Sequence, residues 1–403
     1  MISERMEGFG SVRSYIRDLF EYGRMRAGIV GESEVCDFSL GNPSVPAPAI
    51  VNESIVDIVS TMPSKAVHGY TSGPGDQGTR AAIADDLNFR FGTDYTAANI
   101  YMVNGAATSV TASFKALTIN SDTEFIAIAP YFPEYDVFGE ISGAKVKYIS
   151  ADIPDFQIRF DELAEAINAN TQGIIINSPN NPSGGVYSEA TIIKLAELLT
   201  KKSEELGHPV YIISDEPYRE LVYDNKEVPF VPKYYKDTLV CYSYSKSLSL
   251  PGERIGYVLV PNGMTDGTEN VFFAVSGAGR ALGAVCAPSL MQYVVRRCAE
   301  AHTMPDMKPY EENRKLLCDS LKAMGYDFCS PDGTFYLFLK APNGNSMEFS
   351  EKAKQKDVLI VPGDIFKCPG YMRVSYCVDK AVIEKSLPRF EELIKNYMGT
   401  ELV

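Results

Sequence analysis

Apolar residues in the middle of the chain follow two alternating patterns. Short continuous apolar runs predict strands at 125–129, 145–149, 173–177, 210–214, 239–244 and 256–260. The segments between them, such as 161–168 and 188–206, carry apolar residues at helical spacing. Strands separated by helices are typical of crossover connections, which join parallel strands. The pattern therefore predicts an α/β fold whose central sheet is mostly parallel and flanked by helices.

The pattern changes after Pro288. A helical stretch is followed by a turn, a strand, a helix and a second strand, predicted at 331–333, 335–339, 349–356 and 372–376. The start of the chain predicts a leading helix that ends in the breaker-rich passage around Gly41-Asn42-Pro43. We therefore expect a large α/β domain of residues 46–289 and a smaller α+β domain that combines residues 1–45 with residues 290–403.

Composition and charge narrow the class of partner. The chain has 403 residues, of which 45% are hydrophobic and 22% charged, so it should fold as two substantial lobes. Lysine and arginine number 38 against 52 acidic residues, and the net charge is −14. A field of this sign repels nucleic acid and anionic lipid. An anionic small molecule must therefore be captured locally, by arginines or helix N-termini.

Targeting and cysteine signals point to a cytoplasmic protein. The first residues have no apolar signal-peptide region, and no stretch is apolar for long enough to span a membrane. The eight cysteines form no C-x-x-C pair, which suits reduced thiols. With only three histidines in addition, we expect no metal site.

Three short motifs follow predicted strands, at the sheet edge where open parallel sheets place their ligands. Each motif alone is typical of a turn or a solvated loop, but their order and their common position favour a shared site. They are Asn181-Pro182-Ser183-Gly184, Asp215-Glu216-Pro217-Tyr218, and Ser243-Tyr244-Ser245-Lys246 with Arg254 downstream.

Together these motifs resemble those of the fold-type-I pyridoxal-phosphate enzymes, and among them the class I and II aminotransferases. The resemblance runs from Gly41 to the strand at 371–375. It implies the fold-type-I transferase fold and an aminotransferase that moves an amino group from an L-amino acid, with aspartate one candidate, to a 2-oxo acid by a ping-pong mechanism. A C–S lyase or a decarboxylase on the same fold is the alternative, because these enzymes share the cofactor contacts.

The resemblance also implies how pyridoxal phosphate is bound. Lys246 would hold the cofactor as a Schiff base, and Asp215 would keep the pyridine nitrogen protonated, so that the ring accepts electrons. Phe132 would stack on the ring, with Tyr131 the alternative if the alignment shifts by one position. The remaining cofactor contacts are Asn181 and Tyr218 at the phenolic oxygen, and Gly105, Ala106, Ala107, Ser243 and Arg254 at the phosphate.

Substrate and subunit contacts complete the prediction. Arg373 lies in an apolar strand, where an unpaired guanidinium is costly, and the resemblance implies that it binds the substrate's α-carboxylate with help from Asn181 and the backbone near Gly41. Arg280 is either the arginine that binds a distal carboxylate or an ordinary loop or subunit contact. Tyr70 corresponds to a tyrosine that reaches the neighbouring subunit's phosphate, which implies a homodimer with shared active sites.

Overall fold

The computed structural model describes residues 1–11 and 14–398. The helices are α1 Glu4–Ser11, α2 Tyr15–Val30, α3 Ala49–Thr61, α4 Ser64–His68, α5 Gln77–Phe91, α6 Ala106–Leu117, α7 Glu134–Ser142, α8 Phe160–Ala166, α9 Glu189–Leu206, α10 Tyr244–Ser247, α11 Thr268–Ala281, α12 Ser289–Glu300, α13 Lys308–Ala323, α14 Ser346–Lys354 and α15 Lys380–Met398. The strands are β1 Cys36–Asp37, β2 Ile100–Val103, β3 Glu124–Ala129, β4 Lys145–Asp152, β5 Gln157–Ile158, β6 Thr171–Asn177, β7 Tyr211–Asp215, β8 Thr238–Ser243, β9 Gly256–Leu259, β10 Tyr336–Lys340, β11 Val358–Leu359, β12 Val361–Pro362 and β13 Tyr371–Ser375. Within the described ranges, no helix has both the length and the apolar character needed to cross a membrane.

The central sheet has eight strands in the order β2-β9-β8-β7-β6-β3-β4-β5. Neighbouring strands from β8 to β4 are parallel, whereas β9 and β5 run antiparallel to their neighbours. This arrangement confirms the predicted α/β fold with a mostly parallel sheet. The sequence pattern did not reveal β2, a run of only four residues that pairs with β9 at the edge of the sheet.

A second, smaller group of elements forms the α+β part of the fold. Strands β10, β13 and β12 make an antiparallel sheet, and β1 pairs with β11. Helices α13 and α15 pack against each other beside an apolar core that includes Phe335, Phe349 and Phe390. Helix α12 packs instead on α3 and α5, beside the large sheet. The exact domain limits at 45/46 and 289/290 stay a prediction.

The register of the large sheet brings the ends of three strands side by side. Asn177 at the end of β6 is opposite Asp215 at the end of β7, which is opposite Cys241 in β8. The small sheet is joined to the loops that follow these strands, because the Gly333 amide donates to the Gly184 carbonyl at 2.9 Å and the Thr334 amide to the Leu221 carbonyl at 2.8 Å. The carboxyl edge of the large sheet therefore faces the smaller lobe.

Candidate active site

One cavity at this edge collects most of the residues that the sequence predicted. Those that line it are Gly41, Ala106, Ala107, Phe132, Asn181, Asp215, Tyr218, Ser243, Lys246, Arg254 and Arg373. Gly105 lies at its rim, where an added Cβ would be 2.9 Å from the Arg254 guanidinium. Tyr70 and Arg280 are exposed, and neither belongs to the lining. Phe132 lines the cavity, whereas the hydroxyl of Tyr131 donates to Asp136 at 2.7 Å.

Lys246 lies on the short helix α10, directly after β8. Its Nζ donates a hydrogen bond to the Gly41 carbonyl at 2.6 Å, and its ammonium lies 5.6 Å from the centre of the Phe335 ring. The pKa of this amine is lowered to about 8, mainly by burial; Cys377 opposes the shift, and the positive charges of Arg373 and Arg254 add to it by smaller amounts. A lysine of this kind can act as a nucleophile or a base near neutral pH.

Asp215 is the last residue of β7. Its Oδ2 accepts a hydrogen bond from the Tyr135 hydroxyl at 2.6 Å, and its carbonyl accepts one from the Asn177 side chain at 2.7 Å. Its Oδ1 is buried and has no hydrogen-bond partner in the described structure. Burial raises the pKa of this carboxyl to about 7, although the Tyr135 hydrogen bond lowers it. The site therefore holds a carboxylate oxygen that a cationic group would satisfy.

Hydroxyl and amide groups lie beside this carboxylate. The Tyr218 and Tyr336 hydroxyls are 3.1 Å apart, and both residues are buried. The backbone amide of Asn181 donates to the Asn177 side-chain oxygen at 2.7 Å, which fixes the start of the Asn-Pro turn. The Asn181 side chain can thus face the cavity while its backbone is anchored to β6.

The other end of the cavity is suited to an anion. Helix α6 begins at Ala106, after Gly105 with a φ of 83°, so the positive end of the helix dipole and its first amides open toward Arg254. The hydroxyls of Ser243 and Ser245 are 2.7 Å apart at the start of α10. Backbone amides, one guanidinium and two hydroxyls are together a typical phosphate-binding set.

Arg373 also lines the cavity; it lies in β13 and is buried. Its Nη1 donates to Asn181 Oδ1 at 2.9 Å and its Nη2 to the Ser39 carbonyl at 2.5 Å. The guanidinium carbon lies 4.6 Å from the centre of the Tyr336 ring and 4.9 Å from that of Phe366. No carboxylate of the described residues forms an ion pair with it, and its Nε has no hydrogen-bond partner among them, so this buried guanidinium is suited to bind an anionic group.

Ten further lining residues were not predicted as site residues. They are Ile16, Leu40, Val110, Tyr135, Phe138, Asn177, Pro217, Ser245, Pro251 and Tyr336. Two of them carried a usable signal, since Asn177 ends a predicted strand and Tyr135 follows Phe132 by three residues, nearly one helical turn. Ile16 and Tyr336 are distant from the motifs along the chain, and only the tertiary fold brings them to the site.

Comparison with known proteins gives a consistent result. The family model described as aminotransferase class I and II matches residues 33–390. An aspartate aminotransferase of Thermotoga maritima is 28% identical over 90% of this chain and 92% of its own length, and an aromatic-amino-acid aminotransferase of Thermococcus litoralis is 26% identical over 98% of both chains. The crystal structure of an amino transferase from Eubacterium rectale is 57% identical and covers 98% of this chain and 99% of its own, with a TM-score of 0.96. The crystal structure of the Thermotoga maritima aspartate aminotransferase has a TM-score of 0.85 at 26% identity, over 98% of this chain and 100% of that chain.

Proposed function

The chain belongs to the class I and II aminotransferases, a family that works with pyridoxal phosphate, and from this premise we propose that the described cavity is its active site. The single observation that carries the proposal is the pairing of a buried, low-pKa Lys246 with the unpartnered Oδ1 of Asp215 in one cavity. The activity is the transfer of an amino group from an amino acid to a 2-oxo acid.

The residues present fit the cofactor. Asp215 would place its unpartnered carboxylate oxygen at the ring nitrogen, and Tyr218 and Asn181 would hydrogen-bond the ring's oxygen. The amides of α6 with Ser243 and Arg254 would hold the phosphate, and an added side chain at Gly105 would intrude on that guanidinium. When bound, the cofactor supplies a ring that accepts the electron pair left on the substrate's Cα.

The chain's own residues then have separate tasks. Arg373 would bind the substrate's α-carboxylate, assisted by Asn181 and the backbone at Gly41. Lys246 would attach the cofactor and, once its amine is free, remove the proton from Cα, which a pKa of about 8 permits. The flat face of Phe132 would hold the ring in place.

Covalent fixation of the cofactor tests the assignment of Lys246. Borohydride reduction of the full-length protein with pyridoxal phosphate should attach the cofactor to Lys246, as located by peptide mass spectrometry. Lys246→Ala should abolish both the attachment and the transamination. Lys115→Ala is the matched control, because the Lys115 amine also donates to a backbone carbonyl, that of Ser142 at 3.1 Å, but lies outside the cavity. Fixation on a different lysine would disprove the assignment.

The choice of amino acid is a finer proposal. We propose that Arg280 binds the distal carboxylate of an acidic substrate in the neighbouring subunit's site, which would be consistent with its exposure in this chain and with the relatives named aspartate aminotransferases. In that case, Arg280→Ala should lower kcat/KM for aspartate about 30- to 1,000-fold relative to phenylalanine. If the ratio of the two values does not change, a broad or aromatic specificity replaces this proposal.

Assembly and location follow the same reasoning. We propose a homodimer in which Tyr70, whose side chain is fully exposed in the single chain, completes the phosphate site of the partner. We also propose a cytoplasmic location, supported by the fact that the eight cysteines, all within the described residues, form no disulfide with one another. The proposed domain limits place the cavity between the two lobes.

A further inference from the structure

Two residues of β13 and one residue just after it face the same segment of the chain. Arg373, Ser375 and Cys377 alternate along an extended stretch, so their side chains share one face. All three contact the backbone of residues 38–41, which we call the entry segment. Arg373 has a task in the proposed function, whereas Ser375 and Cys377 have none so far.

Ser375 and Cys377 form a short chain of hydrogen bonds to the entry segment. The Ser375 amide donates to the Phe38 carbonyl at 3.0 Å, and its hydroxyl donates to the Leu40 carbonyl at 3.1 Å. The Cys377 sulfur lies 3.1 Å from the Ser375 hydroxyl and 3.8 Å from the Leu40 carbonyl. The thiol donates to the Leu40 carbonyl and also shares a hydrogen bond with the serine hydroxyl, so both side chains bond the same carbonyl. Both side chains are buried.

Phe38 and Ser39 have further contacts, because the Phe38 amide donates to the Leu359 carbonyl at 2.9 Å and the Ser39 carbonyl accepts from Arg373, whereas Ser375 and Cys377 are the side chains that bond the Leu40 carbonyl. The Leu40 side chain is 42% exposed and so contributes little packing, and Gly41 has no side chain. A side chain could not be added there, since a Cβ on Gly41 would lie 1.8 Å from the Tyr336 hydroxyl. The Gly41 carbonyl nevertheless needs a defined position, because it accepts the hydrogen bond from Lys246 Nζ.

We propose that Ser375 and Cys377 are positioning residues for Lys246, which act by holding the Leu40 carbonyl and thereby the adjacent Gly41 carbonyl. A carbonyl oxygen can only accept a hydrogen bond, so it bonds the lysine when the amine is free and carries N–H groups. The pair therefore fixes the place where the amine rests when it is not attached to another group. The catalytic consequence rests on the proposed function, but the contact itself does not.

Chemical labelling of the free amine tests the proposal without catalysis. The full-length protein, freed of cofactor by dialysis, is treated with trinitrobenzenesulfonate, and labelling of Lys246 is followed by peptide mass spectrometry. In Ser375→Ala the amine loses a fixed acceptor, so its labelling should become about two- to tenfold faster than in the wild type. Cys377→Ser keeps a donor to Ser375 and should label at nearly the wild-type rate, whereas Cys377→Ala should label faster.

Ser350→Ala is the matched control. The Ser350 hydroxyl is also buried in the small lobe and donates to a backbone carbonyl, that of Ile360 at 2.8 Å, but it does not line the cavity. It should leave Lys246 labelling unchanged. The proposal is overturned if Ser375→Ala and Cys377→Ala both label at the wild-type rate, or if Ser350→Ala accelerates labelling equally. Should Ser375→Ala fail to fold, the comparison of Cys377→Ala with Cys377→Ser decides the question.

A second measurement uses the loaded protein. The cofactor's absorbance is followed after single amino acids are added. In Ser375→Ala, the amino-acid concentration that gives half of the maximal rate of the absorbance change should rise by a larger factor than the maximal rate falls. The reason is that the entry segment also accepts a hydrogen bond from Arg373, which would bind the substrate. A fall in the maximal rate alone contradicts the positioning role. If Lys246 is not the attachment site of the cofactor, the labelling difference persists while borohydride fixes the cofactor on a different lysine, so the two failures can be told apart.

Discussion

The protonation state of Lys246 can be measured directly. Burial lowers the pKa of its amine to about 8, so ~10% is neutral at pH 7, against well under ~0.1% for an ordinary lysine. We expect the rate of pyridoxal phosphate capture by the cofactor-free protein to rise about tenfold per pH unit below pH 8 and to level off above it. Stopped-flow absorbance from pH 6 to pH 10 provides the test. A rate that continues to rise to pH 10 would show an amine with an ordinary pKa.

Tyr135 controls the charge of Asp215. Its hydroxyl donates to Asp215, and this hydrogen bond lowers the pKa of the buried carboxyl. Tyr135→Phe should therefore raise the pKa of Asp215, so that a larger fraction of this carboxyl is protonated at neutral pH. We expect kcat to fall about 10- to 100-fold at pH 7 and the acid side of the pH–rate profile to move to higher pH.

The control for this variant is Tyr131→Phe. The Tyr131 ring lies parallel to that of Tyr135 at 6.0 Å, but its hydroxyl bonds Asp136 instead of Asp215. Its pH–rate profile should therefore match that of the wild type. Equal profiles for the two variants would mean that the Tyr135 hydroxyl does not act on Asp215.

At the scale of elements, the contact between the small sheet and the loops of the large sheet depends on Gly333, which has no side chain. A Cβ on Gly333 would lie 2.7 Å from a carbon of Pro179 and 2.8 Å from the Leu221 carbonyl oxygen, both in loops that follow large-sheet strands. Gly333→Ala should therefore reduce the free energy of unfolding by about 1–3 kcal/mol, because the backbone at residue 333 must move away from Pro179 and Leu221 to make room for the new methyl group. A urea titration measures this. Gly28→Ala, in the exposed part of α2 with no atom within 4 Å of the new Cβ, should be neutral or slightly stabilising.

The elements themselves were largely predictable, because strand and helix are encoded in local apolar spacing. Predicted strands such as 125–129 and 173–177 correspond to β3 and β6 with small shifts at their ends. The loop expected at Lys246 is instead the short helix α10, whose four residues are too few to give a periodic pattern. Side-chain partners such as Tyr135 with Asp215 were not predictable, because they join positions that are 80 residues apart.

At the scale of the whole molecule, local and global charge oppose each other. The chain carries a net charge of −14, yet its cavity collects the cations Lys246, Arg254 and Arg373. Anionic ligands are therefore recognised at short range, by hydrogen-bonding groups instead of by long-range attraction. Tyr70 and Arg280 lie outside this cavity in a single chain, and no pattern in one sequence could place them relative to a second subunit.

Subunit complementation tests whether Tyr70 acts across a dimer interface. Lys246→Ala and Tyr70→Ala should each have little activity as homodimers, the second when the cofactor is limiting. In a hybrid dimer, the Tyr70→Ala chain supplies an intact Lys246 and the Lys246→Ala chain supplies an intact Tyr70, so one of the two sites becomes native. Random pairing of equal amounts makes half the dimers hybrid, and co-expression should therefore restore about a quarter of the wild-type activity.

Co-expression of Lys246→Ala with Asp215→Asn is the control, since both residues line the cavity of the same chain and no hybrid site is intact. Activity of the Tyr70 mixture that stays at the average of its two homodimers would place Tyr70 outside the partner's site.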